Sequence, residues 1–436
     1  MAYGPHAVTR DAGKVLFVRG AAPQERVEVA VREEHDRFAF ADVVSVLQPS
    51  PARRVPPCEY LPHCGGCPWQ HLDPGAQRAA KRQIVAEQLR RLGGLEVAVE
   101  PVLAAPREFG YRRRVKLRVA NGAIGYHAAA SHAIVPVGHC LLAEPPVDAA
   151  MAALPDLLAG ARSAIRRLEI VNGGSGGGVV VVGEVEGPFE AADEAHATAW
   201  LEGFAAVSGL VLRGRKWERT WGDPLVALST SDASPLKVHA AGFTQVNSAA
   251  NQLLVDTVLR LADPHPGQRI LDLYAGAGNL SLPLRRAGAE VTAVERDARA
   301  TRDARRNAEA EPGPPLQAIA QRAERAVAQL AAAGERFDVV ILDPPRSGAQ
   351  ACIEALRALG VPRLIYVSCD PATLARDLRA LVPPYAVDVV QPIDMFPQTY
   401  HVEIVLRAAL ACEPADPIVS SPRRRGSVRR LRRRRT

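Results

Sequence analysis

Leu364-Ile-Tyr-Val-Ser-Cys-Asp-Pro371 runs directly into Ala-Thr-Leu-Ala-Arg-Asp-Leu-Arg-Ala-Leu381, and the reading of these eighteen residues decides the fold. Leu364, Ile365, Tyr366 and Val367 form a short apolar β-run that stops at a cysteine. Asp370 can cap a helix and Pro371 suits its first position. Leu374, Leu378 and Leu381 then recur on one helical face. A strand turning straight into a helix is the repeating unit of an α/β sheet. Cys369 is therefore expected at the carboxyl end of a strand, facing a helix N-terminus. That is where such sheets place ligands, and where a helix dipole lowers a thiol pKa. A lone cysteine in this setting is more often a buried packing residue; its neighbours reverse that reading.

Working outward, Phe337-Asp-Val-Val-Ile-Leu-Asp343 reads as a strand ending in Pro344-Pro345-Arg346, and Val402-Glu-Ile-Val-Leu406 as the last strand. Further back, Arg269-Ile-Leu-Asp-Leu-Tyr274 is a strand that enters Ala275-Gly-Ala-Gly-Asn279 and then a helix from Leu280. Val291-Thr-Ala-Val-Glu295 is the next strand and 299–309 the next helix. Phe243-Thr-Gln-Val-Asn247 opens a helix before all of these. From Lys237 onward the pattern is α/β alternation, the signature of a doubly wound, Rossmann-like domain. A dinucleotide site is the wrong reading. Asp272-x3-Gly276-x-Gly278 has only two glycines, and an acid already sits on the first strand. Glu295, 19 residues past Gly276, can bridge two ribose hydroxyls, while the glycines let backbone approach an amino acid moiety. The pattern favours S-adenosylmethionine over NAD.

The chain of 436 residues suggests two to four domains, and 47% hydrophobic residues are ample for real cores. With no run of 18 apolar residues and no signal-like N-terminus, a soluble cytoplasmic protein with no membrane role is expected. The net charge of +7 is unevenly distributed. Nine arginines lie within 423–435, and residues 1–120 carry 19 Lys and Arg against 13 Asp and Glu, so the stretch between them is net acidic. Basic ends fit polyanion-binding appendages better than a uniformly basic enzyme.

Residues 1–50 contain short alternating strands at 15–18, 26–31 and 38–47, the pattern of an OB-like RNA-binding barrel or of a generic β-module with a solvated face. After a Pro-rich linker comes Cys58-x5-Cys64-Gly-Gly-Cys67. Three thiols this close suit zinc or an iron–sulfur cluster, and either needs a fourth ligand. Cys140 is the best candidate; His63, His71 and His139 leave a three-cysteine, one-histidine set open. A helix is expected over 72–95. Tyr111-Arg-Arg-Arg-Val-Lys-Leu-Arg-Val119 reads as a strand with a cationic outer face. Residues 121–237 read as strand-rich, with the glycine run at 173–178 as a hairpin connection. Trp217 and Trp221 can stack bases, although buried aromatics are the default. Cys352 and Cys412 read as structural, and the tail from Ser420 as disordered.

Taken together, these motifs resemble the RNA (uracil-5-)-methyltransferase family, whose members make 5-methyluridine in 23S rRNA and tRNA. The resemblance spans 1–412. It rests on the TRAM-like barrel, the four cysteines, Phe243-x-Gln-x-Asn247, Asp272-Leu-Tyr-Ala-Gly-x-Gly-Asn279, Asp343-Pro-Pro-Arg346, Ser368-Cys-Asp-Pro371 and His401-Val-Glu403. Tyr274-Ala275 stands where many relatives have Phe-Cys, which keeps the aromatic wall. The implied organisation is a TRAM-like OB barrel (1–50), a central α+β domain with an iron–sulfur cluster (51–237), a Rossmann-like methyltransferase domain (238–412) and an Arg-rich tail (413–436). The resemblance also implies a [4Fe–4S] cluster on Cys58, Cys64, Cys67 and Cys140, and S-adenosylmethionine contacts from Gln245, Tyr274, Asn279, Glu295 and Asp343, beside backbone at Gly276. Cys369 is then the nucleophile and Glu403, 34 residues beyond it, the base. Arg346 is a candidate substrate contact. The expected partner is RNA, 23S rRNA first and tRNA as the alternative, and the expected state is a monomer.

Two other readings fit less well. An RNA cytosine C5-methyltransferase expects a cysteine after Pro345, where Arg346 stands. A non-catalytic RNA-binding iron–sulfur protein has no use for Gln245, Glu295, Cys369 and Glu403. The C-x5-C-x2-C spacing also differs from the C-x3-C-x2-C loop of radical methyltransferases.

Overall fold

The computed structural model describes residues 1–61, 63–174, 177–228 and 235–411. Cys412 and the Arg-rich tail, for which disorder is expected, lie outside the described residues. The C-terminal sheet has seven strands: β1 (Arg269–Leu273), β2 (Glu290–Glu295), β3 (Gln317–Ala320), β4 (Val339–Leu342), β5 (Arg363–Ser368), β6 (Tyr385–Ile393) and β7 (Glu403–Leu410). Their order is β3-β2-β1-β4-β5-β7-β6. The first five are parallel, and β7 runs antiparallel between β5 and β6. The chain winds outward in both directions from the β1–β4 pair, so the switch point where α/β sheets bind ligands falls there. All four residues of β4 are buried, as expected of a strand covered on both faces.

β6 escapes the sequence reading because Asp388, Gln391 and Pro392 break its apolar pattern. It is an edge strand, where proline is tolerated. The helix after β5 spans Pro371–Leu381, and the Asp370 carboxylate accepts from the backbone N–H groups of Ala372 and Thr373, both at 3.0 Å. Such a cap contributes about 1 kcal/mol.

The central region carries a second seven-stranded sheet in which Arg114–Ala120 is flanked by Ala164–Asn172 and Ala123–His127. The expected cationic outer face holds at Lys116, which is exposed, and needs correction at the start of the strand. Arg113 and Arg114 are buried, and the Arg114 guanidinium pairs with the buried Glu169 on the neighbouring strand at 2.5 Å. It also donates to the carbonyls of Ala240 and Gly242. The chain entering the C-terminal region covers the first residue of the basic face, while Lys116 further along it stays exposed and Val115 and Leu117 point into the core. The glycine run does join an antiparallel hairpin, with Asn172 opposite Val179. Trp221 is buried, and both tryptophans pack on Phe189.

The N-terminal strands form a four-stranded sheet in the order His6–Asp11, Lys14–Arg19, Phe38–Gln48, Arg26–Glu34. Its first strand, mostly exposed and polar, offers no apolar run to read. The helix Pro74–Gln88 follows Cys67 in sequence yet packs on the C-terminal sheet: Val85, Leu89 and Val99 share one core with Leu271, Leu342, Tyr366 and Leu378. Among the described residues, no helix is long and apolar enough to cross a membrane.

Candidate active site and cysteine cavity

The strand register gathers the predicted residues along one edge of the C-terminal sheet. Leu273 lies beside Val294 and Leu342, so Tyr274, Glu295 and Asp343 follow side by side. Ser368 pairs with Ile404, so Cys369 comes opposite Glu403 one step further. Tyr274 leaves β1 in a left-handed conformation at φ 64°, which turns the following loop away from the sheet. Gly276 continues the turn at φ 57°, and a Cβ there would meet nothing within 4 Å, so the loop presents bare backbone to open space. Glu295 accepts from the N–H of Gly276 at 3.1 Å and of Asp297 at 2.7 Å. Asn279 exchanges both amide hydrogen bonds with Asn251, at 2.9 and 3.0 Å. Each amide keeps one further donor and acceptor. Gln245 is half-buried on the segment that covers Arg114.

A line of carboxylates leads from the strand interior to the thiol. Asp272 is buried, with Oδ2 bound to Ser281 and Oδ1 unpartnered. Burial, and secondarily Glu295, push its carboxyl up to about 7. Burial and then Asp272 push Asp343 up to about 7. Glu403, 3% exposed, is raised well above the carboxylate range by burial and then Asp343, against the pull of Arg346.

The expectation of a thiol pKa lowered by the helix N-terminus is a correction. Burial and Glu403 push the Cys369 thiol up to about 11, although Arg346 hydrogen-bonds it and pulls the other way. Asp370 takes the N–H groups of Ala372 and Thr373 for its cap, so these two do not serve the thiol. Thiolate at this position needs neutral carboxyls beside it, and two raised carboxyls supply that condition.

The Asp343–Arg346 turn is pinned from below: the N–H of Ala349 donates to Asp377 at 2.6 Å, and Tyr366 OH donates to the same oxygen at 2.7 Å. Gly348 is required, because a Cβ would stand 2.4 Å from Asp377 Oδ2. Tyr3 reaches over from the N-terminal segment and donates to Asp370 at 3.3 Å.

Two residues at this edge have surroundings that the sequence reading does not foresee. His401 has a buried, unpartnered Nδ1, and burial with Arg346, Arg112 and Lys81 lowers its pKa to about 4, so a neutral imidazole stands two residues before Glu403. Lys81 is fully buried and pairs with Asp394 at 2.5 Å. A lysine in line with Gln77, Ile84 and Val85 on one helix face was the available signal, since only a buried partner permits it.

On the central region, Cys58, Cys64, Cys67 and Cys140 line a single cavity of about 80 Å³ with Tyr60, Arg112 and Tyr126. Gly65 lies so close to the neighbouring loop that a Cβ would stand 3.2 Å from the Ala129 backbone. Of the three candidate histidines only His139 lines the cavity, and its Nε2 pairs with Glu59 at 2.7 Å. His71 is buried against the Ala21 carbonyl instead. Among the described residues no three His, Cys, Asp or Glu side chains are grouped to hold a single metal ion. Burial pushes the Cys67 thiol up to about 12, with Arg112 opposing. Cys352 is buried in the C-terminal core, 3.3 Å from Tyr274 OH, in keeping with a packing role.

A family described as tRNA (uracil-5-)-methyltransferase matches residues 233–408. The chain is 36% identical over 416 residues to the 23S rRNA (uracil(1939)-C(5))-methyltransferase RlmD of Thiobacillus denitrificans, spanning 92% of this chain and 96% of that one. It is also 36% identical over 420 residues to the protein of the same name from Acidithiobacillus ferrooxidans, spanning 91% and 93%. The tRNA (uracil-54, C5)-methyltransferase of Pyrococcus abyssi, solved with S-adenosyl-L-homocysteine, shares the fold with a TM-score of 0.70 at 24% identity, over 93% of this chain and 98% of that chain.

Proposed function

This chain belongs to the RNA (uracil-5-)-methyltransferase family, and we propose that it methylates C5 of one uridine in 23S rRNA through a covalent bond between Cys369 and C6 of that base. The observation that carries the reading is the meeting of Cys369, Arg346, Asp343 and Glu403 beside the glycine turn at the sheet's switch point. C5 of uracil is too weak a nucleophile to take a methyl group unaided. Addition of the Cys369 thiolate to C6 forms the S–C6 bond and moves the ring's electron pair to C5 and O4. Bound S-adenosylmethionine supplies an electrophilic methyl group. Its fit rests on the bare backbone at Gly276, the Glu295 carboxylate at the end of β2 and the unpartnered Asp272 Oδ1. Once C5 carries the methyl, Glu403 takes the C5 proton, the C5–C6 double bond re-forms and the thiolate leaves.

The raised carboxyls suit this order of events. While Glu403 and Asp343 hold protons, the thiolate forms at least cost. When negative charge has passed from sulfur into the ring, Glu403 can release its proton to water, and the carboxylate left behind, raised by burial, is a stronger base than one in water. Arg346 steadies the thiolate. The target uridine must leave its helix or loop to reach this pocket. The strands at 1–50, read as a TRAM-like barrel, and the central region would hold the flanking RNA.

Cys58, Cys64, Cys67 and Cys140 would hold a [4Fe–4S] cluster. What supports this is four thiols around one cavity, with Arg112 offsetting thiolate charge. The cluster would brace the loops that carry it.

The test is transfer of labelled methyl from S-adenosylmethionine to a 23S rRNA fragment, to tRNA transcripts and to the fragment with its target uridine replaced by cytidine. The reading expects 5-methyluridine at one position of the rRNA fragment only. Methylation of tRNA alone would move the substrate to the other branch, and methylation of cytidine would overturn the chemistry.

A further inference from the structure

The segment that leads into Glu403 is gripped by residues on either side of the cysteine loop. Ile393 and Glu403 are the last pair of the β6–β7 ladder, so the loop 394–402 leaves and rejoins the sheet at the base itself. That loop is anchored by the central region. Lys81 Nζ holds the Asp394 carboxylate and donates to the Phe396 carbonyl at 3.0 Å, and Tyr111 OH donates to the Pro397 carbonyl at 2.9 Å.

Gln398 is the centre of the grip. It is fully buried and left-handed at φ 71°, a conformation that non-glycine residues keep only when the surroundings over-determine it. Its N–H donates to Gln77 Oε1 at 2.8 Å, and Gln77 Nε2 donates back to its Oε1 at 3.0 Å. Arg54 donates to the same oxygen at 2.6 Å, and the Trp69 N–H donates to its carbonyl at 3.1 Å. Trp69 lies two residues past Cys67, and the next residue, Gln70, accepts from the N–H of Cys58 at 3.2 Å.

We propose that Gln398 is a positioning residue for Glu403, held in its strained conformation by Gln77, Arg54 and Trp69, so that the ordered cysteine loop sets the geometry of proton removal. This rests on the covalent reading above. A base displaced by even 1 Å loses about a hundredfold in rate. Because Gln398 acts through the placing of Glu403, and proton removal is the step that depends most on where that carboxyl stands, its loss should stall the reaction after the S–C6 bond has formed. A residue needed only for folding would not select that step.

The experiment compares wild type, Glu403→Gln, Gln398→Gly, Gln398→Asn and Gln77→Ala in steady-state kinetics, with protein–RNA adduct measured on denaturing gels. Gln398→Gly frees the backbone but removes the side chain. Gln398→Asn keeps an amide and tolerates the left-handed region. Gln77→Ala removes both Gln77 bonds to Gln398 without a substitution in the loop, and so reads the same quantity should the glycine variant fold poorly. The expected result is kcat lower by about a hundredfold in Gln398→Gly and Gln77→Ala, with KM for RNA within about twofold. Adduct should accumulate as it does in Glu403→Gln, and Gln398→Asn should be partly restored. Unchanged kcat in Gln77→Ala, or a fall in kcat with no adduct while Glu403→Gln does accumulate it, overturns the proposal. Absence of adduct in Glu403→Gln itself would instead overturn the assignment of the base.

Discussion

Cys369 and Cys67 occupy similar surroundings at two different places in the molecule. Both thiols are partly buried, both are pushed up by that burial, to about 11 and about 12, and each is opposed by one guanidinium, Arg346 or Arg112. What differs is the remaining company. Cys67 has two further thiols, Cys140 and Cys64, whereas Cys369 has two carboxyls, Glu403 and Asp343. Thiols that raise one another's pKa can ionise together only by binding metal. A thiol beside carboxyls can ionise when they are protonated, and can hand its charge to a substrate. On the proposed reading, burial and one arginine would serve a metal site in one place and a nucleophile in the other, according to whether the neighbours accept protons.

The largest test of that contrast is a pair of substitutions. Cys369→Ala should abolish methyl transfer while keeping its full complement of iron, whereas Cys67→Ala should lose the iron and leave residual transfer. Loss of iron in the first, measured by metal analysis of anaerobically purified protein, would break the comparison.

Next in size is Arg346→Gln. Arg346 lowers the thiol pKa, so its removal raises that pKa further and leaves less thiolate at any given pH. The rate should fall about tenfold to hundredfold near neutrality, with the rising limb of the pH profile moved to higher pH. A profile that falls in height but does not move would mean that Arg346 binds RNA alone. Arg112→Gln, the matching change at the other site, should leave the pH profile in place and shorten the lifetime of the iron–sulfur absorbance in air.

How much of this contrast the sequence carries depends on distance along the chain. The strand, cap and helix around Cys369 are legible because Leu364, Asp370, Pro371 and Leu374 sit within eleven residues and need no partner elsewhere. The sheet edge is nearly as legible, since strand ends are marked by Tyr274, Glu295 and Asp343 themselves. The thiol's electrostatics are not: the cap at Asp370 is visible, but burial and the Glu403 carboxyl of β7, which push the thiol up, are not. Arg114 misleads because its partner Glu169 is 55 residues away on a strand whose pairing no local pattern gives. Lys81 and Gln398 are the extreme case, with Asp394 and Gln77 more than 300 residues distant.

The smallest expected effect concerns the carboxyl line. The Asp272 carboxyl is raised from an ordinary 3.8 to about 7 in the folded chain. A folded pKa above the unfolded one contributes stability that is full below about 4 and is lost as pH rises through about 7. The melting temperature of the native protein minus that of Asp272→Asn should therefore decrease by a few degrees between pH 5 and pH 8. A difference that stays flat would mean that the carboxyl titrates as it does in the unfolded chain.

The central claim, that Cys369 adds to C6 of a uridine, is tested most directly with an RNA substrate carrying 5-fluorouridine at the target position. After methyl transfer there is no C5 proton for Glu403 to remove, so thiolate cannot leave and the native protein should remain joined to RNA. The account predicts one RNA-linked peptide, containing Cys369, found by mass spectrometry after digestion and absent without S-adenosylmethionine or in Cys369→Ala. A stable link to any other residue, or full turnover of the fluorinated RNA with no link, would contradict it.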